Sequence, residues 1–482
     1  MIRNAPSSRN VTRMLTISGT WPSGSTQNSV KRPLRAKTSK VVQKMTTIKQ
    51  MKVPGWIIVT HYLTLILKYT ENMDTEPVHS LFNRRDFLKI AGLGVGAGLI
   101  GFPTSCNRAV VKTITPNIQG FSETDAEDNG IPWVPKSDRK VRVGLIGYGV
   151  CKFSAAFGFQ NHPNVEVVAV SDLIPERCAE LARVTGCNKT YPSLEELVKD
   201  DSIEAVFIAT DAPSHARHVI EALNHGKHVA CAVPAVLGSL EDADRLYEAV
   251  KRSGLKYMMF ETSMYRSNLY AMRTLYEAGC LGEILYAEGE YWHYSKDGID
   301  SFNNWRHGLP EQWYPTHSDA YYVGVTNGSF LEVSCLGIPS KMERYLHNQY
   351  NNPFATEISL YRTSGGGIAR MGRSSDTQGS GYGSETGRVR GTKGSYYDKY
   401  VGIEQELPDL RRPTLPPGVK GGGHGGSHGR LTDEFISAIL EDRKPLVDVA
   451  MALNMTVGGI VAHESAMRDG EWLKIPQYKY WG

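Results

Sequence analysis

Five short, nearly unbroken apolar runs alternate with stretches of helical character between residues 140 and 262. The runs are Arg142–Ile146, Val165–Asp172, Ala205–Thr210, His228–Pro234 and Tyr257–Glu261. Between them lie helical stretches at Ser154–Gln160, Glu176–Thr185, Leu194–Lys199, His215–His225 and Leu240–Ser253. A strand that is apolar throughout is buried on both faces, so helices must cover both sides of its sheet. That alternation predicts a doubly wound parallel sheet.

The first run ends in Gly147-Tyr148-Gly149-Val150-Cys151-Lys152. Glycines at the end of such a strand let the backbone turn sharply and approach a pyrophosphate. The third glycine of the usual G-x-G-x-x-G is missing, and Lys152 stands in its place. Asp172 closes the second run, 25 positions after Gly147. A carboxylate there accepts from both ribose hydroxyls and repels the extra phosphate of NADP, so NAD is the expected cofactor. The expected NAD-binding set is Gly147, Gly149, Val150, Cys151, Asp172, Ala209, Thr210, His215 and Pro234.

The formal charge of +4 is carried by the leader, because residues 1–106 hold 15 of the 54 Lys and Arg but 4 of the 50 Asp and Glu. The remainder is net acidic, which argues against a nucleic-acid partner. None of the seven cysteines forms a C-x-x-C pair, and no metal is expected. The pair His424 and His428 lacks further ligands at metal spacing.

Residues 1–72 contain no acid before Glu71 and read either as a disordered leader or as sequence upstream of a true start at Met73. Asn83-Arg84-Arg85-Asp86-Phe87-Leu88-Lys89 has the form of a twin-arginine signal, and a glycine-rich apolar segment, Ile90–Phe102, follows it. Export to the periplasm is therefore expected, with lipidation at Cys106 the only route to a membrane. The expected organisation is a leader and signal at 1–107, a linker at 108–139, the dinucleotide-binding domain at 140–262 and a substrate domain at 263–482. The last carries strand candidates at Ile284–His293, Phe330–Leu336, Ala355–Thr363, Gly367–Met371 and Arg388–Gly391, with no regular helices between them. This predicts an α/β protein whose second domain is built on an open, mainly antiparallel sheet, closed by helices at Leu431–Leu440 and Val449–Arg468. A Gly/Ser-rich loop is expected at Thr377–Gly387, and a glycine loop around His424.

The glycine turn, Ala209-Thr210, the segment Glu221–Val229 and Gly282-Glu283-Ile284 together resemble the Gfo/Idh/MocA oxidoreductase family over about residues 140–475. That resemblance implies a Rossmann domain followed by a sheet domain whose face holds a sugar or polyol against the nicotinamide. Most members carry Glu-Lys-Pro after the fourth strand, where the Lys assists catalysis. Here the positions read Ala232-Val233-Pro234.

A narrower resemblance, to glycoside hydrolase family 109, rests on Val233-Pro234-Ala235, Met258–Glu261, Tyr291-Trp292-His293, Trp305-Arg306, Tyr314–His317 and Gly422–Gly426. Family members are NAD-requiring α-N-acetylgalactosaminidases, thought to oxidise the hydroxyl at carbon 3, eliminate the glycoside, add water and return the hydride. The resemblance implies that Glu261, Tyr291, His293 and His317 line the reaction centre. It also places Trp305, Arg306, Tyr314 and His424 at the substrate. Thr262 and Ser318-Asp319-Ala320 depart from that family's pattern. Tyr291 and His293, at i and i+2 of one strand, share a face. Tyr suits an acid/base or oxyanion donor, and His a proton acceptor near neutral pH. His317, after Pro315-Thr316, is expected in a loop, with His293 as its partner.

The expected function is an exported NAD-dependent oxidoreductase on a sugar or glycoside hydroxyl, with NAD bound tightly and recycled in place. The alternatives are a family 109-like glycosidase and a non-catalytic sugar-binding protein. A homo-oligomer is expected.

Overall fold

The computed structural model describes residues 130–378 and 384–481. The leader, the twin-arginine segment and Cys106 lie outside the described residues, as does part of the Gly/Ser-rich loop.

Six parallel strands form the first sheet, in the order β3-β2-β1-β4-β5-β6. In chain order they are β1 (Val141–Ile146), β2 (Val165–Ser171), β3 (Thr190–Tyr191), β4 (Ala205–Ile208), β5 (His228–Cys231) and β6 (Tyr257–Met259). The order reverses beside β1, so the clefts at the carboxyl ends of β1 and β4 diverge and a crevice opens there. Helices α1 (Phe153–Ala156), α2 (Pro175–Thr185), α3 (Leu194–Leu197), α4 (His215–Asn224) and α5 (Leu240–Ser253) connect the strands. All four residues of β4 are buried, the double-sided burial that its unbroken apolar run foretold. The helix expected at Ser154–Gln160 is instead one turn, α1, and a 3-10 turn at Phe159–Asn161. Gly158, with a φ of +77°, separates them.

After α6 (Ser267–Glu277) come β7 (Ile284–Trp292), α7 (Thr316–Thr326), β8 (Phe330–Pro339), α8 (Glu343–Leu346), β9 (Phe354–Thr363), β10 (Ile368–Ser374), β11 (Glu385–Gly391), β12 (Gly394–Tyr397) and β13 (Lys399–Gly402). The chain closes with α9 (Gly423–Gly426), α10 (His428–Leu440), α11 (Val449–Met467) and β14 (Leu473–Lys474). The second sheet runs β13-β12-β11-β7-β10-β9-β8-β14. Only β7 and β10 pair in parallel; the remaining pairs are antiparallel. The mixed, mainly antiparallel sheet agrees with the strand grammar of the sequence.

The expectation that no regular helix interrupts this region is corrected by α7. Every residue from Thr316 to Val325 is buried. A helix buried on all sides carries no polar stripe, so its period is invisible in the sequence. Two glycines seat it. Gly289 on β7 and Gly387 on β11 are register partners. A Cβ on Gly289 would stand 2.1 Å from the Ser318 carbonyl oxygen, and one on Gly387 would stand 2.3 Å from the Tyr321 ring. The bare backbone lets the first turn of α7 lie directly on the sheet.

Helices α10 and α11 return to the first domain. Thr432 Oγ1 donates to the Phe157 carbonyl at 2.8 Å, and the Met259 N–H to the Val447 carbonyl at 3.1 Å. These contacts tie the closing helical segment to the Rossmann domain.

Candidate active site

A cavity of about 660 Å³ opens over the carboxyl ends of β1, β2 and β4. Gly147, Gly149, Val150, Cys151, Asp172, Ala209, Thr210 and His215 line it. Gly147 has a φ of +89°, and a Cβ there would stand 2.5 Å from the Ala209 carbonyl oxygen. The glycine is thus what lets the turn pass over the end of β4. At Gly149 no atom lies within 4 Å of a Cβ position, so the second glycine faces open space. The Asp172 carboxylate accepts from the Tyr148 N–H at 2.6 Å and from the Ile174 N–H at 2.8 Å, which ties the turn to the end of β2. Bare backbone over open space, a carboxylate at the cleft rim and a cavity of this size fit a dinucleotide.

Lys152, where a third glycine was missed, adopts the left-handed conformation (φ 50°, ψ 30°), so the backbone keeps a shape that glycine usually supplies. Pro234 lines neither this cleft nor the neighbouring cavity. His215 Nδ1 donates to its carbonyl at 2.8 Å, so Pro234 meets the cleft only through the ring that lines it. Trp305, expected at the substrate, lines the cofactor cleft instead.

A second cavity, of about 110 Å³, adjoins the first. Cys151, Phe153, Ala232 and Arg306 line both. Tyr291, His293, Arg306, Tyr314, His317 and His424 line the second. Glu261 does not; it is fully buried behind His317.

His317 sits in the first turn of α7, not in a loop. Its Nδ1 donates to Glu261 Oε1 at 2.8 Å, and the Ser263 N–H donates to the same oxygen at 2.8 Å. Burial would raise the Glu261 carboxyl. The adjacent His317 ring, with the hydrogen bonds from His317 and the Ser263 N–H, outweighs burial and holds it below the usual range. A carboxylate fixed on Nδ1 sets the tautomer and leaves Nε2 as the acceptor. This is the arrangement by which a buried acid orients a general base.

Tyr291 lies 4.7 Å from the His317 ring, centroid to centroid, and 5.8 Å from His293, whose ring is parallel to its own. Burial first, then the Glu385 carboxylate, pushes the Tyr291 phenol above its ordinary range. It therefore stays a hydrogen-bond donor. His293 is pushed down to about 4 by burial and by Arg306 and Arg373, so its ring is neutral.

His424 stands 6.3 Å from the His317 ring, centroid to centroid. The glycine loop expected here is a single turn, with His424 and Gly425 left-handed. His428 Nδ1 donates to the Ala156 carbonyl at 3.3 Å, so its Nε2 accepts from His424 Nδ1 at 2.8 Å. His424 is thereby left with an unprotonated Nε2, and burial holds it well below its ordinary pKa. Among the described residues no group of three His, Cys, Asp or Glu is placed to hold a metal.

Reading the sequence missed Arg373, Arg344 and Glu311 in this cavity. Arg373 continues the alternation of β10 beyond Met371, opposite Tyr291 in register. That two-residue period was the available signal.

Residues 141–261 match the family described as "Oxidoreductase family, NAD-binding Rossmann fold". A "Glycosyl hydrolase family 109 protein 1" of Bacteroides fragilis is 36% identical over 184 residues, covering 36% of this chain and 39% of the relative. A family 109 protein of Porphyromonas gingivalis is 32% identical over 201 residues, covering 38% of this chain and 42% of the relative. The chain thus spans about two fifths of the length of the curated relatives it matches. A family 109 protein of Solibacter usitatus aligns more fully, at 24% identity over 82% of this chain and 97% of its own. Among solved structures, a levoglucosan dehydrogenase in complex with NADH superposes with a TM-score of 0.56 at 20% identity, covering 70% of this chain and 100% of its own. A myo-inositol dehydrogenase of Lactobacillus casei, in complex with NAD(H) and myo-inositol, gives a TM-score of 0.55 at 17% identity, over 71% and 98%. These two share the fold.

Proposed function

From the premise that this chain carries the NAD-binding Rossmann domain of the Gfo/Idh/MocA oxidoreductases, we propose that it cleaves a glycoside by a redox cycle that returns its own hydride. The single observation that carries the reading is the buried Glu261–His317 pair, 2.8 Å apart, in a cavity that adjoins the cofactor cleft and is lined by Val233 rather than a lysine. A member that relied on the usual Lys would be disarmed by Val233. His317 with its carboxylate supplies the missing base.

NAD, when bound, supplies the acceptor for a hydride from a sugar carbon and gives it back. The protein's own groups move the protons. His317 Nε2 takes the proton of the hydroxyl being oxidised, and Glu261 stabilises the imidazolium that results. Tyr291 donates to the oxygen where charge develops as the neighbouring C–H is deprotonated. His424 Nε2, kept unprotonated by His428, is a second acceptor on the same cavity wall and takes that carbon-bound proton as the glycosidic C–O bond breaks. Water then adds across the double bond so formed, and return of the hydride and the proton held by His317 restores the hydroxyl. The family 109 relatives support glycoside cleavage over net oxidation.

The twin-arginine segment supports export with the cofactor already in place. No NAD pool exists outside the cytoplasm, so a cycle that conserves its cofactor suits that location. Incubation of the NAD-loaded protein with a panel of p-nitrophenyl glycosides, plain and deuterated at carbon 2 or 3, tests the reading. Aglycone release with an isotope effect and no NADH accumulation is expected. NADH building up in step with a keto-sugar, without aglycone, would make the protein a net sugar oxidoreductase.

A further inference from the structure

Among the described residues, three arginines line the smaller cavity: Arg306, Arg344 and Arg373. Arg373 is 2% exposed, and its Nε and Nη1 have no hydrogen-bond partner. The guanidinium carbon lies 4.8 Å from the Tyr291 ring centroid and 5.7 Å from that of Tyr314, so aromatic rings rather than acceptors surround it. Arg344 donates to the Ser295 and Lys296 carbonyls through Nη1 and to Ser375 through Nη2, all neutral acceptors. Arg306 stacks on Trp305 and Tyr314, at 4.1 and 5.2 Å. Among the described residues none of the three has a carboxylate within ion-pair distance.

Of the acids nearby, Asp319 in α7 lines neither cavity, and burial pushes it well toward its neutral form against the pull of Arg373. Glu261 is tied to His317, and Glu385 to Arg266. Among the described residues Glu311 is the one carboxyl on the cavity wall. It accepts from the Tyr345 hydroxyl at 2.7 Å, and burial pushes it toward its neutral form against the pull of Arg373. The depressed His293 reports the same surplus of positive charge, because after burial its causes are Arg306, Arg373, His317 and Arg344. A buried guanidinium with two unpartnered nitrogens and no ion-pair partner is costly unless an anion reaches it. Arg344 and Arg373 line the substrate cavity and not the cofactor cleft, so the phosphates of NAD do not explain them.

We infer that the sugar held in this cavity carries an oxyanion, a uronate carboxylate or a sulfate ester, drawn to the guanidinium groups of Arg373 and Arg344 on the cavity wall. This rests on the cavity being the sugar site proposed above, and it narrows the substrate to an acidic sugar. Guanidinium forks donate in pairs to carboxylate or sulfate oxygens.

The test is calorimetric titration of the full NAD-loaded protein with glucuronate, galacturonate and glucose 6-sulfate, each against its neutral parent, glucose or galactose, in 0.15 M salt. At least one acid should bind tenfold or more tightly than its parent, and which one does so tells carboxylate from sulfate. Arg373→Met should cut that ratio at least tenfold. Arg344→Met provides an independent variant, and NAD affinity shows that each has folded. Acid and parent binding within threefold of each other would overturn the inference and leave the sugar site standing. A ratio untouched by Arg373→Met would overturn it as well, since the anion would then sit elsewhere. No binding of any sugar, acidic or neutral, would overturn both readings together.

Discussion

Two glycines of the first turn should respond to alanine in opposite ways. At Gly147 the φ is +89°, and the new Cβ would stand 2.5 Å from the Ala209 carbonyl oxygen, 2.7 Å from its carbon and 3.0 Å from the Thr210 nitrogen. All three are backbone atoms, so the end of β4 must shift. The unfavourable φ costs ~1–2 kcal/mol. The overlap adds ~1–3 kcal/mol. A total of about 3 kcal/mol lowers Tm by roughly 6 °C at ~2 °C per kcal/mol. At Gly149 the φ is not positive and nothing lies within 4 Å, so alanine should leave Tm unchanged or raise it slightly. Its Cβ would enter the space where a pyrophosphate approaches. Gly149→Ala should therefore lose at least about tenfold in NAD affinity at full stability. Differential scanning calorimetry and NAD titration on both variants check this. Gly149→Ala retaining NAD affinity within threefold would refute the placement of the cofactor. Gly147→Ala melting with the parent would refute the close approach of turn and strand.

Glu261→Gln should lower kcat by about 10²-fold or more with little change in KM, because Gln removes the charge that orients His317 and stabilises its imidazolium; aglycone release is the assay. Tyr291→Phe removes a donor that stays protonated across the working range, so the rate should fall about 10²-fold with the alkaline limb of the pH profile unmoved. Asp172→Ala should weaken NAD binding and narrow the gap between NAD and NADP, as read by titration with each. Stability should fall with acid. His293, His428 and His218 are each pushed from 6.5 to about 4 by burial foremost, so below pH 6.5 the unfolded chain binds protons that the folded one refuses. The loss grows from about pH 6.5 down to about 4, reaching ~3 kcal/mol per ring; a Tm constant over that range would contradict it.

The Rossmann half was legible because its strands are buried on both faces and its helices on one, so each element announces its period. Helix α5 was readable to the residue, Leu240–Ser253, with Ser239 capping its start and Gly254 its end. Asp172 and the glycine turn were legible as local chemistry. Helix α7 was not, because burial on every side removes the polar stripe from its sequence. That one gap displaced His317 from helix to loop and hid its partnership with Glu261, 56 positions away. Arg373 escaped for a related reason. Its meaning lies in what its guanidinium lacks, and an absent partner leaves no mark along a chain.

The seat formed by Gly289 and Gly387 makes the distance between Tyr291 and His317 a property of two hydrogen atoms. Tyr291 belongs to the sheet and His317 to the helix resting on it, and the thickness of the layer between them is nil. Any side chain at either glycine acts as a shim, lifting α7 and opening the gap between donor and base while both residues remain intact. Loss of function in such a variant would leave every reacting group in place, and reach would be the only thing missing.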